Sequence, residues 1–129
     1  MSKTSFHILR VGLAITFLWI GILIFKAPAE WGTYLQPWAA KLLPVPVVTA
    51  MLGTATLDVA VGFLLLIGFW VWVAAILASL HLLVVLTTVG IDAVTVRDIG
   101  LLAGSAALLF DSFPRGLLSK IFHKNPTQP

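Results

Sequence analysis

Four stretches of the chain are almost continuously apolar, at about residues 6–25, 47–69, 71–89 and 95–113. Each is close to the roughly 20 residues with which an α-helix crosses the hydrocarbon core of a bilayer. The second and third stretches join without a charge or a proline, but one helix from 45 to 89 would be on the order of 65 Å long, about twice the hydrocarbon thickness. The pattern therefore predicts a single all-α domain, a four-helix transmembrane bundle.

The segment between the first two predicted helices has a different composition. Residues 26–46, KAPAEWGTYLQPWAAKLLPVP, are interrupted by prolines and contain Trp31, Tyr34 and Trp38. Such aromatic side chains suit the interface between membrane and water. We call residues 26–46 the lid segment, because we expect it to lie on the outer surface of the bilayer over the end of the bundle.

The basic residues predict the orientation of the bundle. Lys3 and Arg10 lie near the start of the first helix, and Arg115, Lys120 and Lys124 follow the fourth. With an even number of spans both termini lie on one side, and the positive-inside rule places that side in the cytoplasm.

The first apolar stretch has an alternative interpretation as a secretory signal peptide. A basic start, an apolar stretch and the small residues at 27–29 imitate a signal with its cleavage site. The apolar stretch is long for a signal, however, and Lys26 interrupts it just before the supposed site. We therefore expect the first helix to be retained.

Composition places the chain among membrane proteins and limits its chemistry. Hydrophobic residues make up 60% of the chain and charged residues 10%. In soluble domains about half of the residues are apolar and about a quarter are charged. The net charge of +3 comes from basic residues at the ends of apolar stretches, so we exclude nucleic-acid binding. Since there is no cysteine, Fe–S clusters and Cys-ligated metals are excluded. Any redox role needs a borrowed cofactor or a partner.

An aspartate lies about midway along the second predicted helix. At the centre of a bilayer, a charged side chain at the position of Asp58 costs about 2.5 to 3.5 kcal/mol. Thr54, Ala55 and Gly62 share its helical face, and such small residues let another helix approach closely. This face is therefore predicted to point into the bundle.

His81 lies near the middle of the third predicted helix, with Thr88 on its face. We predict that Asp58 and His81 form a hydrogen-bonded pair at the floor of an internal polar site that includes Thr54 and Thr88. Such a pair can pass a proton or hold a polar head group, for example a quinone carbonyl. The alternative is that the pair only joins two helices, a contact that contributes about 0.6 kcal/mol.

No metal site is expected. The other two histidines, His7 and His123, lie outside the predicted membrane core, so a second midplane ligand for haem is missing.

Two adjacent charges, Arg97 and Asp98, mark the outer end of the fourth predicted helix. They are candidates for the outer entrance of the site, as a polar gate or as a site for an anionic group near the positive end of the helix dipole. The alternative is that both anchor the helix at the interface, with Asp98 in the favourable first turn.

Small residues also predict helix packing. Gly62 in the second helix, and the GxxxG pair Gly100 and Gly104 in the fourth, permit close contact between helices. At the cytoplasmic end we expect a salt bridge between Arg10 and Asp111, or contact of Arg10 with lipid head groups.

Several segments, in this order, resemble the DoxX family of small bacterial and archaeal membrane proteins. They are RVGL at 10–13, FLWIG at 17–21, Lys26, then Asp58 with GFLLLIG at 62–68, and RDIGLL at 97–102. The resemblance covers residues from 10 to about 111. The family usually has glutamate where this chain has Asp58, so a carboxylate is kept with a shorter reach.

The resemblance implies a multi-pass protein of the prokaryotic cytoplasmic membrane with a role in redox chemistry. The family is named for its likeness to subunits of thiosulfate:quinone oxidoreductase, which pass electrons from a sulfur compound to membrane quinone. The resemblance therefore implies that this chain is a subunit of a quinone-linked redox assembly. It would borrow a quinone, and its partner would be another subunit or a second copy. One alternative is a non-enzymatic anchor or accessory subunit that stabilises a partner protein. Another is a carrier of a small solute or a proton, although an internal repeat is absent.

Overall fold

The computed structural model describes residues 1–93, 95–114 and 116, and within them it contains helices and loops but no strand. The helices are α1 (Lys3–Lys26), α2 (Pro28–Gly32), α3 (Pro37–Leu42), α4 (Val47–Ile67), α5 (Val71–Val89) and α6 (Val96–Ser112). Three of these helices, α1, α4 and α5, are long and apolar enough to cross a membrane. The protein is therefore all-α, with three candidate membrane spans in the described part of the chain.

The fourth long helix is shorter than the other three. With 17 residues, α6 is about 26 Å long, slightly less than the roughly 30 Å of a hydrocarbon core. A fourth span therefore stays a prediction. The basic residues Arg115, Lys120 and Lys124 lie outside the described residues, so the predicted orientation stays a prediction as well.

Local hydrogen bonds explain two differences from the predicted helix ends. Helix α1 begins at Lys3 rather than at residue 6, because the Ser2 hydroxyl caps it by accepting a hydrogen bond from the Ser5 N–H at 3.1 Å. Helix α4 ends at Ile67, two residues early, because Gly68 adopts a left-handed conformation with φ of 71°. This conformation, common at helix ends, ends α4 although the sequence stays apolar up to the start of α5.

The backbones of α1 and α4 pack directly against each other. A Cβ atom on Gly62 would lie 2.8 Å from the backbone nitrogen of Leu18 and 3.0 Å from the carbonyl oxygen of Ala14. A Cβ atom on Gly21 would lie 3.0 Å from the carbonyl oxygen of Ala55. Real Cβ atoms essentially never approach a backbone atom to 2.8 Å and rarely approach one to 3.0 Å, so glycine suits both helices at their crossing.

The remaining contacts close a ring of helices, in which α5 packs against α6, α4 against α5, and α1 against α6. Alanines on α5 are completely buried in this ring. Many large apolar side chains lie on the outside instead, among them Trp19, Phe63, Leu80 and Phe110. Helices that are apolar on every face are typical of membrane spans.

The two glycines of the GxxxG pair have different environments. A Cβ atom on Gly104 would contact the Leu9 side chain of α1 at 3.3 Å, whereas nothing lies within 4 Å of one on Gly100. Within the described residues, Gly104 thus faces another helix and Gly100 does not.

The salt bridge expected between Arg10 and Asp111 is wrong. The Arg10 guanidinium donates hydrogen bonds to the carbonyl oxygens of Leu65 and Leu66, at 2.5 and 2.9 Å. Carbonyls in the last turn of a helix lack partners within the helix, and a cation there is favourable. Asp111 instead accepts from the amino group of Met1 at 3.3 Å.

Candidate functional site

A cavity of about 220 Å³ lies between the long helices, beneath the lid segment. Its lining includes all six residues that the sequence suggested for the polar site and its entrance. These are Thr54, Asp58, His81, Thr88, Arg97 and Asp98. Residues from α4, α5 and α6 that are far apart along the chain therefore border one space.

The buried carboxylate and the imidazole meet at this cavity. His81 Nε2 lies 3.2 Å from Asp58 Oδ1, and the Asp58 side chain is only 4% exposed. The two groups are at ion-pair distance, but Asp58 Oδ1 has no hydrogen-bond partner among the described residues. The structure thus brings the predicted pair together without the hydrogen bond. A buried polar oxygen without a donor is rare and costly in a native protein.

Small residues around the pair explain how the helices place it. Ala55 and Gly62, on the same helix as Asp58, are buried, and Gly62 faces α1. Ala74 and Ala78, close to His81 on α5, are completely buried as well. Because these side chains take little room, the helices approach closely around the pair.

The rest of the lining is mostly apolar. Its larger members are Phe17, Ile20 and Ile24 on α1, Leu82 and Val85 on α5, and Leu101 on α6. Trp31, Tyr34, Leu35 and Leu43 of the lid segment also line the cavity. The lid segment therefore covers the cavity with apolar and aromatic side chains.

A glutamine that sequence analysis missed attaches the lid segment to α5. The Gln36 N–H donates to the carbonyl oxygen of Thr88 at 3.0 Å, and its side-chain amide donates to that of Val89 at 3.3 Å. Its amide oxygen accepts from the Trp38 indole N–H at 2.5 Å. No spacing or motif in the sequence indicates that a single glutamine in a loop forms hydrogen bonds with a distant helix.

Thr95, also missed, orders the loop before α6. It is 3% exposed and lines the cavity. Its hydroxyl donates to the carbonyl oxygen of Gly90 at 2.6 Å and accepts from the N–H of Asp92 at 2.9 Å. These bonds fix the start of α6 and hence the positions of Arg97 and Asp98.

The two charges at the start of α6 differ in exposure. The Arg97 side chain is 51% exposed and that of Asp98 is 11% exposed, with 4.0 Å between Arg97 Nε and Asp98 Oδ1. Arg97 thus lies where the cavity meets the surface. Asp98 lies deeper in the cavity lining.

The site can hold a small molecule with an apolar body and one or two polar atoms. Binding pockets commonly have such mostly apolar walls and few polar groups. In the described part of the chain, no three His, Cys, Asp or Glu residues are placed to hold a metal ion.

Comparisons with protein-family models, curated proteins and solved structures gave no match for this chain.

We predict that Gln36→Ala loosens the lid segment. Two side-chain hydrogen bonds are lost, and each contributes about 0.5 to 1.5 kcal/mol. Hydrogen–deuterium exchange of the lid-segment amides, measured by mass spectrometry, is expected to accelerate by about tenfold. Thr56→Ala is the control, because the Thr56 hydroxyl bonds only to Leu52 within α4. Equal exchange rates in the two variants would contradict the claim that Gln36 attaches the lid segment to α5.

Proposed function

We propose that this chain is a DoxX-like membrane subunit of a quinone-linked redox assembly, and that its cavity binds the quinone head group. The observation that carries the proposal is the buried Asp58 carboxylate, 3.2 Å from His81, in an otherwise mostly apolar cavity. A carboxylate that only joined two helices would be a costly choice inside a membrane.

The size of the cavity supports a single ring as the occupant. An apolar cavity of about 150 Å³ in another protein binds benzene. A cavity of about 220 Å³ therefore has room for one six-membered ring with small substituents. A quinone head group is such a ring, and its polar atoms are few.

The polar groups at the floor suit a carbonyl oxygen. A protonated Asp58 carboxyl or the His81 N–H can donate a hydrogen bond to it, and the orphan Asp58 oxygen indicates that the pair is not satisfied alone. The pair can also hold a proton at Asp58 Oδ1 or His81 Nε2. A bound quinone supplies the capacity to take up two electrons and two protons. Because the chain has no cysteine, a partner subunit supplies the electrons.

The same proposal includes four spans, with α6 as the fourth, in a prokaryotic cytoplasmic membrane. At the end opposite the cavity, the rings of Trp72 and Phe113 are in edge-to-face contact, with 5.5 Å between their centroids. Aromatic side chains of this kind are enriched at membrane interfaces, which supports an α6 that reaches the second interface. The basic residues near both termini favour a cytoplasmic location for that end.

Purification of the tagged protein in a mild detergent tests the proposal. We expect mass spectrometry to find a redox subunit and an extractable quinone in stoichiometric amounts. A non-redox partner without quinone would contradict the proposal and favour the anchoring role. Recovery of the chain alone would contradict the assembly.

A further inference from the structure

We infer that the cavity opens sideways into the bilayer between α4 and α5, and that its ligand carries a long apolar chain that leaves through this opening. The lateral opening is formed by Leu43, Ala50 and Val84, all of which line the cavity. The inference rests on the proposed function and specifies the ligand as a lipid-tailed molecule taken from the membrane.

Val84 shows where the cavity meets the outside of the helices. It lines the cavity, yet it is 58% exposed. His81, Val84 and Thr88 follow one another at spacings of three and four residues and so share a face of α5. This face therefore runs from the buried floor of the cavity to its outer edge.

Helix α4 provides the other side of the opening. Thr54 and Ala50 follow Asp58 toward the start of the helix at four-residue spacing, and both line the cavity. The contact of α4 with α5 is less extensive than its contact with α1. Above this less extensive contact, Leu43 of the lid segment completes the rim.

Val84 and Arg97, two exposed parts of the cavity lining, differ in polarity. At the start of α6 the rim contains Arg97, which is half exposed. The lateral opening contains only apolar side chains, and it faces the region where hydrocarbon surrounds the apolar exterior of α4 and α5. An apolar chain is stable in hydrocarbon and not beside a hydrated guanidinium.

The volume of the cavity also favours a ligand chain that extends outside the protein. About 220 Å³ accommodates a ring but not a long hydrocarbon chain in addition. A lipid-tailed ligand can therefore bind only if its chain lies outside. The lateral opening is the apolar exit.

Binding of two benzoquinones that share a head group tests the inference. The probes are the dimethoxy-methyl-benzoquinone head group without a chain and decylubiquinone, measured with the full-length protein in lipid nanodiscs and corrected with protein-free discs. Val84→Trp is expected to lower the affinity for decylubiquinone by about tenfold or more. The affinity for the head group alone is expected to fall by much less, because the ring binds at the floor of the cavity beside Asp58 and His81.

Two further variants control for the added bulk. Leu80→Trp places the same indole on α5 at a position that is 56% exposed and does not line the cavity, and it is expected to leave both affinities unchanged. Val84→Ala, which widens the opening, is expected not to reproduce the selective loss of decylubiquinone affinity.

The possible outcomes separate the inference from the proposed function. If Val84→Trp lowers the affinity for both probes equally, or for neither, the inferred lateral opening is wrong, but the proposal that the cavity binds a quinone stands. If the unsubstituted protein binds neither probe above the protein-free discs, the proposed function is wrong and the inference fails with it.

Discussion

Asp58→Asn is expected to lower the affinity for the benzoquinone head group by about 10- to 100-fold. Hydrogen bonds to charged groups contribute about 1.5 to 3 kcal/mol, and each 1.4 kcal/mol corresponds to about a factor of ten. Asparagine has nearly the same shape and can still donate a hydrogen bond, but it is always neutral, so the pair loses the charge that strengthens its hydrogen bond to the head group. Binding to the full-length protein in nanodiscs measures the effect, and thermal unfolding is expected to show an intact fold.

Asp111→Asn is the matched control for this prediction. Asp111 lies near the end of α6, where it contacts the amino group of Met1, and it is not among the residues that line the cavity. Its replacement is expected to leave affinity unchanged. If Asp58→Asn instead lowers the unfolding temperature without affecting binding, the carboxylate only joins helices and the proposed site is wrong.

Gly62→Ala is expected to destabilise the protein by about 1 to 3 kcal/mol, the usual cost of adding a methyl group to a well-packed contact. The added carbon would lie 2.8 Å from the Leu18 nitrogen and 3.0 Å from the Ala14 oxygen. These are backbone atoms, so α1 and α4 must separate to make room. The free energy of unfolding in mixed micelles measures the loss.

Gly53→Ala makes the same chemical change on the same helix, where nothing lies within 4 Å of the added carbon. Its stability is expected to stay at or above that of the unsubstituted protein, since alanine is the better helix former. If the two variants are equally stable, the direct contact between α1 and α4 is wrong.

Runs of apolar residues indicated where the long helices lie, because a bilayer requires about 20 apolar residues per span. The break between α4 and α5 had a weaker signal. It depends on the left-handed backbone at Gly68 and the positive φ of 49° at Trp70, and neither changes the hydropathy. The packing role of Gly100 and Gly104 was equally hard to predict, because a spacing motif does not tell which glycine faces a neighbour.

Helical spacing placed Asp58 and His81 on inward faces, but the rotation of α5 relative to α4 depends on tertiary packing. The lid segment shows the same limit. Its aromatic residues predicted a location at the interface, and that pattern gave no sign that Trp31 and Tyr34 also line the cavity. The hydrogen bonds of Gln36 with the end of α5 help to hold it there, and such long-range contacts leave no local pattern.

Photoaffinity labelling with an azido-benzoquinone tests most directly that the cavity is a ligand site. Peptide mass spectrometry of the labelled protein in nanodiscs is expected to find adducts on the cavity lining of α4 and α5, near Thr54, Asp58 and His81. Excess unlabelled head group is expected to suppress them. Adducts that persist under competition, or that fall on the outer side chains Phe63 and Leu80, would contradict an intramembrane site.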